Sequence, residues 1–527
     1  MNNQLLTKFK ALAKNLLKVK NPDDLISDGQ KSELEKSLTA FDLIILGIGA
    51  VVGTGIFTIV GTAAAGGPEN VGAGPALVVS MVLAALASVF AALCYSEFAS
   101  MIPVAGSAYT YTFATMGEFM AWMVGWILML EYAIGNITVA SAWTGYLFQF
   151  LKGFSHILPS WIVNPPIWLI NDFRSAYTIC QKEHLDPNLV IPHIFGIPVC
   201  INIPAIIIVL LITYILAKGV KESTKLAGIM VGLNMLIIAA FIIAGCFYIK
   251  PSNWVPFAPN GWEGVFMGAF LIFFAYIGFD AISTTAEETK NPQKDLPIGI
   301  LGTLLICTIL YVITALVLTG IMPYNQIDFQ APIAHAMRVI GQDRLAGFIS
   351  VGALAGLTSV LLVYQLGTTR ILYAMSRDGF IPKSWRIIDR KHKTPKVLTW
   401  IAGVIVILGS LIMDLNISAA MCIFGTLVSF IIVCAAILVL RKTDPDRHRP
   451  FKVPFSPLFP MLGILTCSGL TIYSFIKLKT STLYFIAWVI AGLIIYATYS
   501  YRKQRELEAK KEKFAKLAEE KKAELQG

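Results

Sequence analysis

The sequence predicts an all-α integral membrane protein of twelve transmembrane helices, arranged as two inverted five-helix repeats plus two further helices. Three observations carry this expectation. Of the 527 residues, 56% are hydrophobic and only 14% charged, whereas a soluble chain is about a quarter charged. Apolar stretches able to span a bilayer, which takes about 20 residues, recur twelve times. The first and sixth of these stretches are interrupted by glycine in their interiors, and paired discontinuous helices in corresponding positions of two halves mark an inverted-repeat architecture.

The stretches, numbered here as segments 1 to 12, cover residues 41–65, 75–101, 117–149, 202–217, 224–249, 264–286, 297–321, 345–375, 397–413, 417–440, 457–476 and 483–501. They divide the chain into a basic arm (1–40), a first repeat (41–249) with a large loop at about 150–201, a second repeat (264–440), two additional helices (457–501) and a charged tail (502–527). Placing residue 1 in the cytoplasm puts 34 of the 42 Lys and Arg in inner segments, the bias that orients membrane proteins. Both termini are therefore expected on the cytoplasmic side of a cell (inner or plasma) membrane. The formal charge of +10 is then accounted for by an anionic inner leaflet and calls for no nucleic-acid partner.

The arm is not expected to be a signal peptide, because lysines interrupt its apolar residues every few positions. Leu5, Leu6, Phe9, Leu12 and Leu16 recur at helical spacing, which fits either a helix lying on the inner leaflet or a solvated basic arm. In the tail, Glu506 with Lys510 and Glu512 with Lys516 sit at i, i+4 and suit a solvated helix. Cys94, Cys246, Cys307, Cys422, Cys434 and Cys467 fall within segments as small apolar fillers. Cys180 and Cys200 share the large outer loop, where pairing and free thiols both remain open. His184 and His193 between them match no zinc spacing.

No nucleophile elbow, phosphate loop or metal-ligand cluster points to an enzyme, and no cofactor is expected. What the chain offers is GIGAVVGTGIF at 47–57 and FFAYIGFDAIS at 273–283. Unwinding a helix in a membrane strands N–H and C=O groups, each costing several kcal/mol unless satisfied. An α-amino acid could satisfy both kinds: its carboxylate suits N–H groups at a helix N-terminus, its ammonium the carbonyls at a helix C-terminus. The Gly53-Thr54-Gly55 run fits such a cradle, whereas Gly47 and Gly49 equally fit close helix packing.

These stretches, with YSEFASMIPVAGSAYTYTFATMGE, GWILMLEYAIGNITVASAW, FFAYIGFDAISTTAEETKNPQKDLPIGI and RPFKVPF, resemble the amino acid–polyamine–organocation (APC) superfamily and, within it, the cationic amino acid transporter family. The resemblance runs from about Leu38 through segment 12. It implies a LeuT-type fold with five-plus-five inverted repeats and transport of an amino acid by alternating access. On that resemblance the N–H groups of Gly53, Thr54 and Gly55 would hold the substrate carboxylate. The carbonyls of Val51, Phe274 and Ile277 would take its ammonium, and the Phe274 ring would close over it. Gly135, Asn136 and Tyr364 would line the side-chain end.

Two positions depart from parts of the family. Proton-coupled bacterial relatives carry Lys in segment 5 where this chain has Asn234, which cannot titrate near neutral pH; this resembles facilitators. Glu131 remains as an intramembrane carboxyl, expected to hydrogen-bond Thr54 or Asn234 either structurally or as a proton carrier. Tyr364 stands where cationic transporters of the family tend to have a small residue, so a small or medium neutral substrate is expected. Asp280 is expected to cap N–H groups where the sixth helix resumes. The alternatives are a proton-coupled carrier of cationic amino acids or polyamines on the same fold, and a non-transporting amino acid sensor. The sequence carries no signal for or against an accessory subunit.

Overall fold

A computed structural model describes residues 18–509, with 31–35, 37, 68, 69, 105, 183, 220, 330, 390–393, 507 and 508 excepted. The amphipathic pattern at Leu5–Leu16 and the pairs involving Lys510, Glu512 and Lys516 lie outside the described residues. Among those described, nine helices are long and apolar enough to cross a membrane, and a tenth crossing is the pair Ala40–Val51 and Gly55–Ala65, bent by 42°. Two shorter apolar helices, Ile203–Lys218 and Lys396–Ile412, occupy the places of segments 4 and 9. Among the described residues, strand is confined to two short hairpins, Gly66–Gly67 with Asn70–Val71 and His193–Ile194 with Ile197–Pro198.

Segment 1 begins with a capping box, in which the Thr39 hydroxyl accepts from the Asp42 N–H and the Asp42 carboxylate accepts from the Thr39 N–H. Such reciprocal capping satisfies two of the N–H groups a helix start leaves free. Segment 2 runs from Gly74 to Met101, and segment 3 from Glu118 to Lys152. Segment 3 is one helix with a π-helical turn at Leu130–Ile134, an irregularity frequent at functional sites that the apolar pattern did not disclose. Segment 7 (Pro292–Ile321) packs along segment 2, and segment 8 (Asp343–Asp378) along segments 3 and 5. Broken segments 1 and 6 lie between these packed helices.

One end of the bundle is laced by ion pairs. Glu97, fully buried at the end of segment 2, accepts from Arg441 Nε (3.1 Å) and Nη2 (2.5 Å) and from the Val453 N–H (2.7 Å), with Arg449 Nε at 3.3 Å. Residues 449–453 thereby form a strap across segment 2. Lys20 pairs with Asp378 at 3.3 Å, Arg370 with Glu288 at 2.5 Å and Arg505 with Glu118 at 2.6 Å. Leu38 bridges Thr289 in a strand-like contact. These links gather the start of the described chain, the ends of segments 2, 6, 8, 10 and 12 and the start of segment 3 onto one face.

In the opposite loops, Cys180 and Cys200 are both free thiols. Cys200 is buried with Ala176 and Ile191 under Ile167 and Trp168. Burial, and then the Asp172 carboxylate, push its thiol up to about 11.

Candidate functional site

The first break opens at Val52, whose N–H still donates to the Ile48 carbonyl (2.8 Å). Beyond it the Gly53 carbonyl accepts from Ile56 (3.2 Å) and Phe57 (3.0 Å). Gly53 therefore acts as the cap of a resumed helix in which Thr54 and Gly55 hold the first positions, and N–H groups there have no partner within that helix. A π-helical turn follows at Gly55–Ile59. In segment 6 the α-helix Gly261–Phe273 gives way to a 3-10 turn at Phe274–Tyr276, an extended Ile277 and a left-handed Gly278 (φ +113°). A second 3-10 stretch, Phe279–Glu288, then leaves the break.

The two breaks touch. A Cβ on Gly55 would collide with the Ala275 backbone, and one on Gly278 would come within 2.9 Å of the Ala50 carbonyl oxygen. Gly53 faces the Val360 side chain, Gly47 faces Thr303 and Ile282, and Gly49 faces Val231 and Ser359. All four glycines of GIGAVVGTGIF thus also serve packing. Only Gly55 meets backbone, which cannot swing aside.

Each carbonyl expected to receive an ammonium carries a donor in this structure. The Tyr311 hydroxyl donates to Val51 (2.9 Å), the Tyr364 hydroxyl to Ile277 (3.5 Å) and the Ile277 N–H to Phe274 (3.3 Å). A carbonyl has two lone pairs, so capacity remains at all three. Phe274 is buried at the end of the first half of segment 6.

Gly135 and Tyr364 lie side by side, since a Cβ on Gly135 would lie 2.9 Å from Tyr364 Cε2. Asn136 turns elsewhere: its Nδ2 donates to Gln365 Oε1 (2.9 Å), whose Nε2 reaches the Thr213 hydroxyl (3.2 Å). Asn234 donates from Nδ2 to the Val52 carbonyl (2.9 Å), one of the groups released by the break. It sits tightly against Gly356.

Two expectations are corrected. Glu131 bonds neither Thr54 nor Asn234. Both its carboxylate oxygens are buried with no hydrogen-bond partner among the described residues, and the neighbouring Thr426 hydroxyl is directed to the Cys422 carbonyl (3.0 Å). The Cys422 thiol in turn donates to the Glu131 backbone carbonyl (3.2 Å). Asp280 does not cap the resumed sixth helix; its Oδ2 accepts from the Tyr132 hydroxyl and its Oδ1 has no partner among the described residues. The left-handed turn at Gly278 and local hydroxyls, such as Ser283 donating to the Asp280 carbonyl (2.6 Å), shape that stretch instead.

Buried polar atoms normally have partners, yet several on these helices lack one among the described residues: Thr54 Oγ1, Asn136 Oδ1, Asn234 Oδ1, Ser359 Oγ, Asp280 Oδ1 and both Glu131 oxygens. They sit on segments 1, 3, 5, 6 and 8, the two broken segments and their neighbours. Tyr311, Tyr132, Gln365 and Ser359 were missed by sequence reading, whose only available signal was a polar side chain within an apolar stretch.

Helices crossing a membrane, two of them interrupted against each other amid unpartnered polar groups, define a membrane transporter for a small polar solute. The comparisons agree. Residues 38–501 match the family model described as amino acid permease. The chain is 44% identical to the branched-chain amino acid permease BcaP of Bacillus subtilis, over 92% of this chain and 98% of that one. It is 41% identical to the methylthioribose transporter of the same organism, over 91% and 97%, and 33% identical to cationic amino acid transporter 9, chloroplastic, of Arabidopsis thaliana, over 89% and 78%. The chain belongs to the amino acid permease family and, with it, to the APC superfamily. It is a multi-pass membrane transporter and not an enzyme.

Proposed function

We propose that this protein carries a neutral L-amino acid across the cell membrane by alternating access, on twelve spans of the LeuT-type five-plus-five plan with both termini cytoplasmic. The observation that carries the substrate reading is Tyr364. Its ring is fully buried against Gly135 and Tyr132, and its hydroxyl reaches the Ile277 carbonyl at the second break. A phenol so placed takes the volume that a long cationic side chain needs, which favours a small or medium neutral substrate. The name of the Bacillus subtilis branched-chain permease supports that class.

In this reading the substrate carboxylate lies on the N–H groups of Gly53, Thr54 and Gly55. Its ammonium joins or displaces the Tyr311 and Tyr364 hydroxyls at the carbonyls of Val51 and Ile277, with Phe274 closing over it. Asn234 ties segment 5 to the break as a fixed hydrogen-bond donor with no proton to exchange.

The test is uptake of labelled leucine into proteoliposomes against unlabelled neutral and cationic amino acids and methylthioribose. Competition by branched or small neutral amino acids is expected. Competition by arginine or methylthioribose alone sinks the substrate reading, and saturable binding without uptake makes the protein a sensor.

A second reading rests on Glu131, an intramembrane carboxyl with no partner among the described residues. A transported proton is one partner that would satisfy it, and such groups mark ion pathways. In this reading an inward proton gradient drives uphill uptake in the wild type but not in Glu131→Gln, while exchange persists in both. Uptake indifferent to the gradient rejects it.

A further inference from the structure

A groove of about 700 Å³ lies on the outer flank of the bundle, between the first four turns of segment 7 and the strap at 449–453. At one end it is lined by Gln293 and Lys294, in the first turn of that helix; the rest of its wall is apolar, formed by Ile298, Leu301 and Leu305 on one side and Phe451 on the other. None of this belongs to the site at the helix breaks.

We propose that this groove holds an anionic phospholipid, its phosphate on Lys294 and Gln293 and one acyl chain along Ile298, Leu301 and Leu305. Three features argue for that occupant. From Lys294 to Leu305 the helix rises roughly 16 Å, about the depth of one leaflet's hydrocarbon in a core of about 30 Å. The apolar wall opens sideways, with Ile298 43% and Leu305 64% exposed, so an acyl chain can enter from the bilayer; a free phosphate would leave that wall unused.

The charge also selects. Lys294 and, next to Phe451 in the strap, Lys452 are both exposed and make no ion pair among the described residues. The neighbouring Arg449 and Arg441 are already engaged by Glu97, and the Asp295 carboxylate accepts from the Asn291 N–H (3.3 Å). A zwitterionic headgroup would gain less from these two lysines than an anionic one. A lipid so seated joins segment 7 to the strap, which Glu97 ties to segment 2. It therefore bridges two helices at the end of the bundle where the ion pairs gather, which is the inner leaflet in the orientation proposed above.

Full-length protein in nanodiscs of equal phosphatidylglycerol and phosphatidylcholine, released for native mass spectrometry, tests this without depending on transport or orientation. The wild type is expected to retain one phosphatidylglycerol at least about fivefold over phosphatidylcholine, the preference that one basic residue near an anionic surface supports. Lys294→Gln combined with Lys452→Gln should bring the two lipids to parity, and Leu301→Trp, which fills the groove, should lose both adducts while leucine binding and melting temperature stay within the wild-type range. No retained lipid, equal retention of both lipids by the wild type, or a preference unchanged in both variants overturns the proposal. A preference abolished by inorganic phosphate also overturns it, since the site would then be an anion site only.

Discussion

Gly55 and Ala275 meet backbone to backbone, so that a single added Cβ on Gly55 would collide with the Ala275 Cα. This contact holds the two helix breaks together, and it separates glycines needed for close approach from glycines facing movable side chains.

Gly55→Ala should therefore abolish uptake, by about 100-fold or more, while the protein still reaches the membrane, because the breaks must part to admit the methyl group. Gly47→Ala meets the Thr303 and Ile282 side chains instead and should lose less uptake than Gly55→Ala, since movable side chains can repack at a cost of roughly 1–3 kcal/mol. Equal losses in the two variants would show that the backbone contact has no special role.

Asn234 donates to the Val52 carbonyl at 2.9 Å. Asn234→Leu strands that buried acceptor, a loss of about 1–3 kcal/mol, and initial uptake rates should fall by roughly 5- to 100-fold. Asn234→Lys puts a titratable donor at the same carbonyl and should make uptake depend on pH where the wild type does not through this position. An unchanged pH profile in a folded, active lysine variant counts against segment 5 as a coupling position.

Tyr364→Phe removes only the long hydrogen bond to Ile277 and should change leucine uptake by less than about fivefold, a loss within the roughly 0.5–1.5 kcal/mol net contribution of a hydrogen bond. Tyr364→Ser opens the space beside Gly135 and should let arginine compete with leucine. Arginine excluded equally from both variants would mean that the ring does not set substrate size.

Glu97 is fully buried beneath two guanidinium groups and one backbone N–H. Glu97→Gln removes the charge they share and should destabilise the strap and segment 2 by roughly 3 kcal/mol, as for other broken buried pairs. Detergent melting curves read this as a lowered midpoint, and a midpoint unchanged within error rejects the clamp.

Because burial and Asp172 raise the Cys200 thiol to about 11, it stays protonated at neutral pH. Maleimide labelling should be slow at pH 7.5 and keep rising towards pH 11, since only the thiolate reacts. Labelling that levels off near pH 9, or a Cys180–Cys200 disulfide on a non-reducing gel, contradicts this environment.

The membrane class, the helical character of the apolar stretches and the two breaks were legible along the chain, because each rests on local chemistry. An apolar run of a given length must cross or bury, and glycine within it weakens a helix wherever the chain later folds. The Gly53-Thr54-Gly55 and Phe274–Gly278 stretches are irregular in the structure for the same local reason that they stood out in the sequence. Only the tertiary structure decided what answers the groups those breaks release. Tyr311 reaches Val51 across 260 residues, Asn234 reaches Val52 across 182 and Tyr132 reaches Asp280 across 148. Hydrogen bonds between helices depend on crossing angle and rotation about each axis, which no spacing within one segment encodes. For that reason Glu131 and Asp280 could be recognised as intramembrane acids from the sequence, while their partners could not.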